Sequence, residues 1–291
     1  MPGLPAGDPS GPGVAGRDRM RTPLAYYGGK QMLARQIIAL MPPHRVYLEA
    51  FAGGSAVLFA KPPAERETLN DLDGQVMRFW RTLRERPMEL AEAIATTPYS
   101  RAEWYESKEQ DDDDLEASRR LLVNVDQSFA RSRSSWSNPC IGDGRGRWQP
   151  GTWSNLPPKL LAAAQRLQGV ALEALDGLTL IPRFDRSDAM IYVDPPYTGP
   201  HRTERSKGYV MDADDGMWGR LVDVLASVER AAVIVSGYPC EEMDELGWTS
   251  RRLARYRTVQ SRNGDRLARA PETVWFNSAV TDSLLTIPEM G

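Results

Sequence analysis

Apolar positions along the chain follow two periods. Short runs of four to six residues, Val46–Glu49, Glu67–Asn70, Ala189–Val193, Ala231–Ser236 and Thr273–Phe276, are wholly apolar or alternate. Such runs, bounded by Gly, Pro or acidic residues, predict strands. Between them the spacing turns helical. Met32, Leu33, Ile37, Leu40 and Met41 predict a helix over 31–41, stopped by Pro42-Pro43. Ala56–Ala60 reads as the start of another. Val76, Phe79, Trp80 and Leu83 make one stripe on a helix over about 73–85. Strands alternating with helices at both ends of the chain predict an α/β fold with a parallel-rich sheet.

The middle breaks this rhythm. Residues 103–116 carry eight acidic residues against one Lys, including Asp111–Asp114, and 119–167 carry eight Lys/Arg against two Asp. Arg131–Trp153 mixes Arg, Ser, Gly and Asn with three Trp and has little periodicity. The segment reads as an insert between two halves of the sheet, with Trp136, Trp148 and Trp153 as its small core. Asp111–Asp114 reads as a solvated lead-in to a helix. Residues 1–20, with four Pro and five Gly, bury too little apolar surface to offset their ordering entropy and are expected to be a disordered tail.

Composition sets bounds on this picture. The chain has 291 residues, 41% of them hydrophobic and 26% charged, which suits a globular protein with a full core. No run of 18 apolar residues exists, so no membrane span is expected. The start lacks a cationic-then-apolar pattern, so no secretory signal is expected. Cys140 and Cys240 are the only cysteines. They make no disulfide framework, and no Cys/His spacing suits a metal site, so a reducing cytoplasm is the expected compartment. His44 and His201 have no ligand partners at metal-binding spacing.

Candidate chemistry concentrates in Ile191-Tyr192-Val193-Asp194-Pro195-Pro196-Tyr197. An apolar strand ends there in an acid, two prolines and an aromatic ring. In open α/β sheets the crevice beyond the carboxyl ends of the strands holds ligands. Consecutive prolines make a stiff exit loop with bare carbonyls. Asp194 and the Pro195 carbonyl suit the two N–H bonds of an amine on a flat ring, and Tyr197 suits its face. A plain strand end with an Asp cap is the alternative.

Two further elements accompany it. Leu48–Val57 runs from strand through Ala52-Gly53-Gly54-Ser55 into a helix, a turn that lets a nucleoside approach backbone closely. Asp71, at the end of the next strand, fits an acidic ligand for ribose hydroxyls. Tyr26-Tyr27-Gly28-Gly29-Lys30 precedes a helix and is no P-loop, because Ser or Thr does not follow Lys30.

Taken in this order, the elements resemble the Dam-like class of DNA adenine-N6 methyltransferases over residues 22–278. The matching positions are Tyr26–Lys30, Phe51–Ser55, Asn70-Asp71, Asp176, Asp194–Tyr197, Ser236-Gly237-Tyr238 and Glu272–Trp275. The chain departs from the family pattern in its adjacent glycines, in Tyr26 where the family often has Trp, and in lacking a His near Asp215–Trp218. The resemblance implies a Rossmann-like methyltransferase sheet, in two parts at 21–74 and 166–285, with a mostly helical target-recognition insert at 75–165. It implies S-adenosylmethionine as cofactor, held by Tyr26, Lys30, Phe51, Gly53, Ser55, Asp71, Asp176 and Asp194. Asp71 would take the ribose and Asp176 the cofactor's adenine amine. Asp194, Pro195, Pro196 and Tyr197 would be catalytic. It implies no metal, double-stranded DNA as partner, and a cytoplasmic monomer encoded by a bacterium or phage, in DNA methylation of the restriction–modification kind.

The expected reaction needs a base flipped from the duplex, since a stacked base cannot reach such a pocket. A net charge of −3 argues against nucleic acid only as a sum, because 119–167 nets +6 and Arg251–Arg269 holds seven Arg against one Asp. Arg131 and Arg133 are the candidate DNA contacts. Rival readings are methylation of cytosine N4, of RNA adenine or of a protein glutamine, and a non-catalytic DNA-binding relative. Cytosine enzymes favour Ser and glutamine enzymes Asn where Asp194 stands.

Overall fold

The computed structural model describes residues 20–25, 29–129, 133, 135–138, 153–196, 216–253 and 272–286. The expected tail, Tyr26, Arg131, Trp148, Tyr197, His201 and most of Arg251–Arg269 lie outside the described residues. Seven strands form one sheet: β1 (Val46–Glu49), β2 (Arg66–Asn70), β3 (Val170–Glu173), β4 (Ala189–Val193), β5 (Ala232–Gly237), β6 (Thr249–Leu253) and β7 (Glu272–Phe276). Their spatial order is β3-β2-β1-β4-β5-β7-β6. The first five are mutually parallel, and β7 runs antiparallel to both β5 and β6. The sheet is thus α/β and mostly parallel, as the alternation of periods predicts.

Side chains alternate across the sheet with period two. Tyr47, Met190, Tyr192, Ala232, Ile234, Val274 and Phe276 enter one buried cluster. Val46, Leu48, Ala189, Ile191, Val193, Val233, Val235 and Trp275 enter the other. Both faces of the central strands are therefore buried, which accounts for their nearly continuous apolar sequence.

Helices cover both faces. α1 (Ala34–Ile38) and α2 (Ala56–Ala60) pack on the first face, together with α3 (Gly74–Glu85), α4 (Pro87–Thr96), α5 (Arg101–Glu106), α6 (Asp114–Asp126) and α7 (Leu156–Leu167). α1 is shorter than the predicted helix, being flanked by turns at 31–33 and 39–40. α8 (Gly177–Leu180) with its following 3-10 turn, α9 (Met217–Ala226) and α10 (Glu241–Asp244) cover the second face. α11 (Ser278–Thr286) follows β7 and places Val280 in the first cluster.

The helices of 74–167 lie between β2 and β3 in sequence. Phe79, Trp80, Leu90, Trp104, Leu122, Trp153 and Leu160 join the same buried cluster as Tyr47 and Leu69 of the sheet. Among the described residues these helices have no separate core. The acidic run leads into α6, with Asp113 capping the helix through the Glu116 N–H at 2.8 Å. It is also paired, which goes beyond a solvated lead-in. Arg78 and Arg81 of α3 grip Asp114, and Arg120 meets Asp111 at 3.1 Å.

Candidate active site at the carboxyl edge of the sheet

The strand order reverses between β1 and β4, and the chain leaves both strands at the same edge. Ligands of open α/β sheets bind in the crevice at such a switch point. Along that edge stand Asp176 after β3, Asp71 after β2, the Phe51–Ser55 turn after β1 and Asp194 after β4. Ser236 of β5 and Glu272 at the head of β7 continue the row.

Asp194 carries most of the polar contacts. Its Oδ1 accepts from Lys30 Nζ at 2.5 Å and from Ser236 Oγ at 3.0 Å. Ser236 has one hydroxyl proton, so the Tyr192 hydroxyl, 2.8 Å away, donates to it. Among the described residues, Lys30 and Ser236 thus both engage the same oxygen of Asp194. Pro195 is buried and Pro196 half-buried, so the exit loop is held against the fold. Lys30 also meets Glu272 Oε1 at 2.9 Å. Burial raises the Asp194 pKa, an effect that Lys30 partly offsets. Burial opposes the charge on Lys30, but Asp194 and Glu272 outweigh it and hold the ammonium well above the usual lysine range.

The turn after β1 is built around Asp71. Its Oδ2 accepts from the Gly53 N–H at 2.7 Å and its Oδ1 from the Asp73 N–H at 2.9 Å. Burial raises its pKa, against those backbone donors. Trp80 Nε1 holds the Gly53 carbonyl from the other side at 3.1 Å. Asn70 ties three strand exits together: its amide donates to the Ala50 and Leu175 carbonyls at 2.9 and 3.0 Å and accepts from the Leu175 N–H at 2.9 Å. The turn takes left-handed backbone at Gly53 (φ 43°) and Ser55 (φ 49°), so the second such position holds Ser55 and the neighbouring Gly54 does not supply it. Phe51 lies over Gly177, and Asp176 caps α8 through the Leu178 N–H at 2.9 Å.

The fold therefore brings Lys30 to Asp194 and sets Gly53 against Asp71, while Asp176 stands at the β3 end of the row. Arg133 lies elsewhere, on a short hairpin after α6, with its Nε on Asn124 Oδ1 at 2.8 Å and its backbone left-handed at φ 57°. Sequence reasoning marks Ser236 and Glu272 only as positions of the family resemblance, without a role, and leaves Tyr192 as a strand residue. Nor does it single out Glu49, which accepts from Tyr47 and the Leu58 N–H at 2.9 and 3.0 Å. An acid at the end of an otherwise apolar strand is the signal that marks Glu49 and Glu272.

Sheet order, the antiparallel β7 and acids after both β2 and β4 are the architecture of a Rossmann-like methyltransferase. Residues 26–139 match the model of the D12 class N6 adenine-specific DNA methyltransferase family. The match spans 114 of the 291 residues, agrees with the Dam-like resemblance and supports an adenine-specific DNA methyltransferase. No curated protein matches the chain. Among the described residues no helix is long and apolar enough to cross a membrane, and no His, Cys, Asp and Glu cluster could hold a metal ion.

Proposed function

We propose that the protein moves a methyl group from S-adenosylmethionine to the N6 amine of an adenine flipped out of a specific duplex DNA site. The observation that carries this reading is the place of Asp194, at the β4 exit of the switch point, where Lys30 and Ser236 both hold its Oδ1.

The residues present fit the cofactor. Asp71 is fixed by two backbone N–H groups, one on each oxygen, and keeps lone pairs for a ribose diol. Leu72 and Leu175, 42% and 37% exposed, adjoin Asp71 and Asp176 and suit the face of a purine, whose amine the Asp176 carboxylate could accept. Bound there, S-adenosylmethionine supplies a methyl group already activated on a sulfonium. Phe51, Gly53, Ser55 and the GGK segment with Tyr26 and Lys30 would complete that pocket.

The chain's own task is to prepare the nucleophile. The lone pair of an adenine amine is delocalised into the ring. Asp194 Oδ2 and the Pro195 carbonyl accept the two amine protons and favour a tetrahedral nitrogen, whose lone pair then points along the line of attack. Positive charge develops on nitrogen as the bond forms, and the Asp194 carboxylate already stands beside it. Proton loss follows transfer, so Asp194 need not be a strong base. Tyr197 would replace stacking lost when the base leaves the duplex. Residues 75–165 would read the target, with Arg131 and Arg133 toward DNA. In the described fold the Arg133 guanidinium is turned onto Asn124 of α6, so a DNA contact from it would require that bond to open.

Two variants test the reading together. Asp194→Ala should lower turnover at saturating cofactor on the order of 10²–10³-fold. Asp71→Ala should weaken S-adenosylmethionine binding by roughly 1.5–3 kcal/mol in calorimetry, with DNA affinity unchanged when cofactor is absent. Turnover of Asp194→Ala within threefold of wild type would sink the assignment.

A further inference from the structure

Gly53 and Gly54 stand at the centre of the turn that follows β1. The Ser55 N–H donates to the Ala52 carbonyl at 2.6 Å and closes the turn around them. Turns of one outline differ in which way their central peptide faces. Side chains normally restrict that choice, but the Gly53–Gly54 peptide has no Cβ on either side. Its facing is therefore set from outside the turn.

Residues 71–80 supply the grip. Asp71 Oδ2 accepts from the Gly53 N–H at 2.7 Å, and Trp80 Nε1 donates to the Gly53 carbonyl at 3.1 Å. The two groups are tied to one another. Asp71 Oδ1 accepts from the Asp73 N–H at 2.9 Å, and Asp73 caps α3, the helix of Trp80, through the Gln75 N–H at 2.9 Å. Trp80 has little freedom of its own. Its side chain is fully buried, edge-on to Phe79 with ring centroids 4.8 Å apart and tilted against Phe59 of α2 at 5.4 Å. The indole nitrogen is thus a donor fixed in place, with one proton to give.

A trans peptide is planar, with its carbonyl and N–H on opposite sides. Holding the Gly53 carbonyl toward α3 therefore turns the Gly54 N–H away from α3. A flip of this peptide would put an acceptor where that donor stands, and a ligand seated on the turn would meet the opposite polarity.

We propose that Trp80 is a positioning residue for the cofactor: its indole N–H fixes the facing of the Gly53–Gly54 peptide, and so the donor pattern that the turn presents to S-adenosylmethionine. The inference rests on the reading of this turn as part of the cofactor pocket.

Trp80→Phe keeps an aromatic ring beside Phe59 and Phe79 and removes the donor. Wild type and variant are compared by calorimetry with S-adenosylmethionine alone and by methyl transfer to unmethylated plasmid DNA. Cofactor affinity should fall on the order of tenfold, as when a buried hydrogen-bond partner is removed. KM for S-adenosylmethionine should rise by a similar factor, while KM for DNA and turnover at saturating cofactor stay near wild type. A packing role alone would lower the melting temperature and leave cofactor affinity native, or raise both KM values alike, and either result overturns the proposal. Should the Phe variant fail to fold, benzothienylalanine at position 80 replaces only the ring N–H by sulfur, and native cofactor affinity there would overturn the idea. Asp71→Ala in the same assays separates the two levels. If it weakens cofactor binding while Trp80→Phe binds normally, this inference alone fails. If neither variant changes affinity, the reading of the turn as cofactor pocket fails with it.

Discussion

Glu49 closes β1 with its carboxylate 2% exposed, and it accepts from the Tyr47 hydroxyl and the Leu58 N–H at 2.9 and 3.0 Å. Burial outweighs both donors and pushes its pKa from 4.5 up to about 8. Between those values the unfolded chain has released the proton that the folded chain keeps. Stability from this group is therefore complete below about 4.5 and declines as pH rises toward about 8. Glu49→Gln imitates the protonated side chain and keeps an acceptor for Tyr47 and Leu58. Urea melts should show a wild-type midpoint that falls over this interval and a flatter one in the variant. Parallel profiles would mean that Glu49 is ionised in the fold. At this scale the sequence shows that Asp194 and Asp71 end strands. It does not show which groups hold Asp194, because Lys30 and Ser236 arrive from positions 164 and 42 residues away.

The turn after β1 and the start of α8 depend on one close approach. A Cβ at Gly177 would stand 2.9 Å from Phe51 Cζ and 3.0 Å from the Ala50 carbonyl oxygen. A ring tip can swing aside, but the carbonyl belongs to the backbone that leaves β1. Gly177→Ala should thus cost about 1–3 kcal/mol in stability, as overpacking does. It should also weaken S-adenosylmethionine binding in calorimetry, since Phe51 and the Asp176 cap shift together; native stability and affinity would show that the approach has slack. Elements differ in how legible they are for a related reason. The five strands predicted from pattern appear within one residue of their observed ends. The pattern predicts neither β3 nor β6. β6 (Thr-Ser-Arg-Arg-Leu) buries only Leu253, and β3 fully buries only Val170. An edge strand need not be apolar, so its pairing comes from the neighbour and leaves little trace in its own sequence.

For the whole molecule, the helices of 74–167 and one face of the sheet share a single buried cluster. Leu160 of α7 and Tyr47 of β1 are both 0% exposed within it. Leu160→Ala should cost about 2–5 kcal/mol and lower one cooperative transition seen alike by far-UV and tryptophan signals. Two separated transitions would show that the helical segment folds on its own. The alternating layers, the five buried strands, the Asp194-Pro195-Pro196 exit and the placing of Asp71 after β2 are all legible along the chain, because each follows from local period and turn chemistry. The sequence also marked 103–167 as different in composition. That these helices merge with the sheet core came only with the assembled fold. It alone turned β7 antiparallel, which sets Glu272 beside Lys30, and it alone paired Asp111–Asp114 with arginines of α3 and α6. Those outcomes turn on which surfaces meet across long stretches of chain, and neither hydrophobic period nor local propensity encodes that meeting.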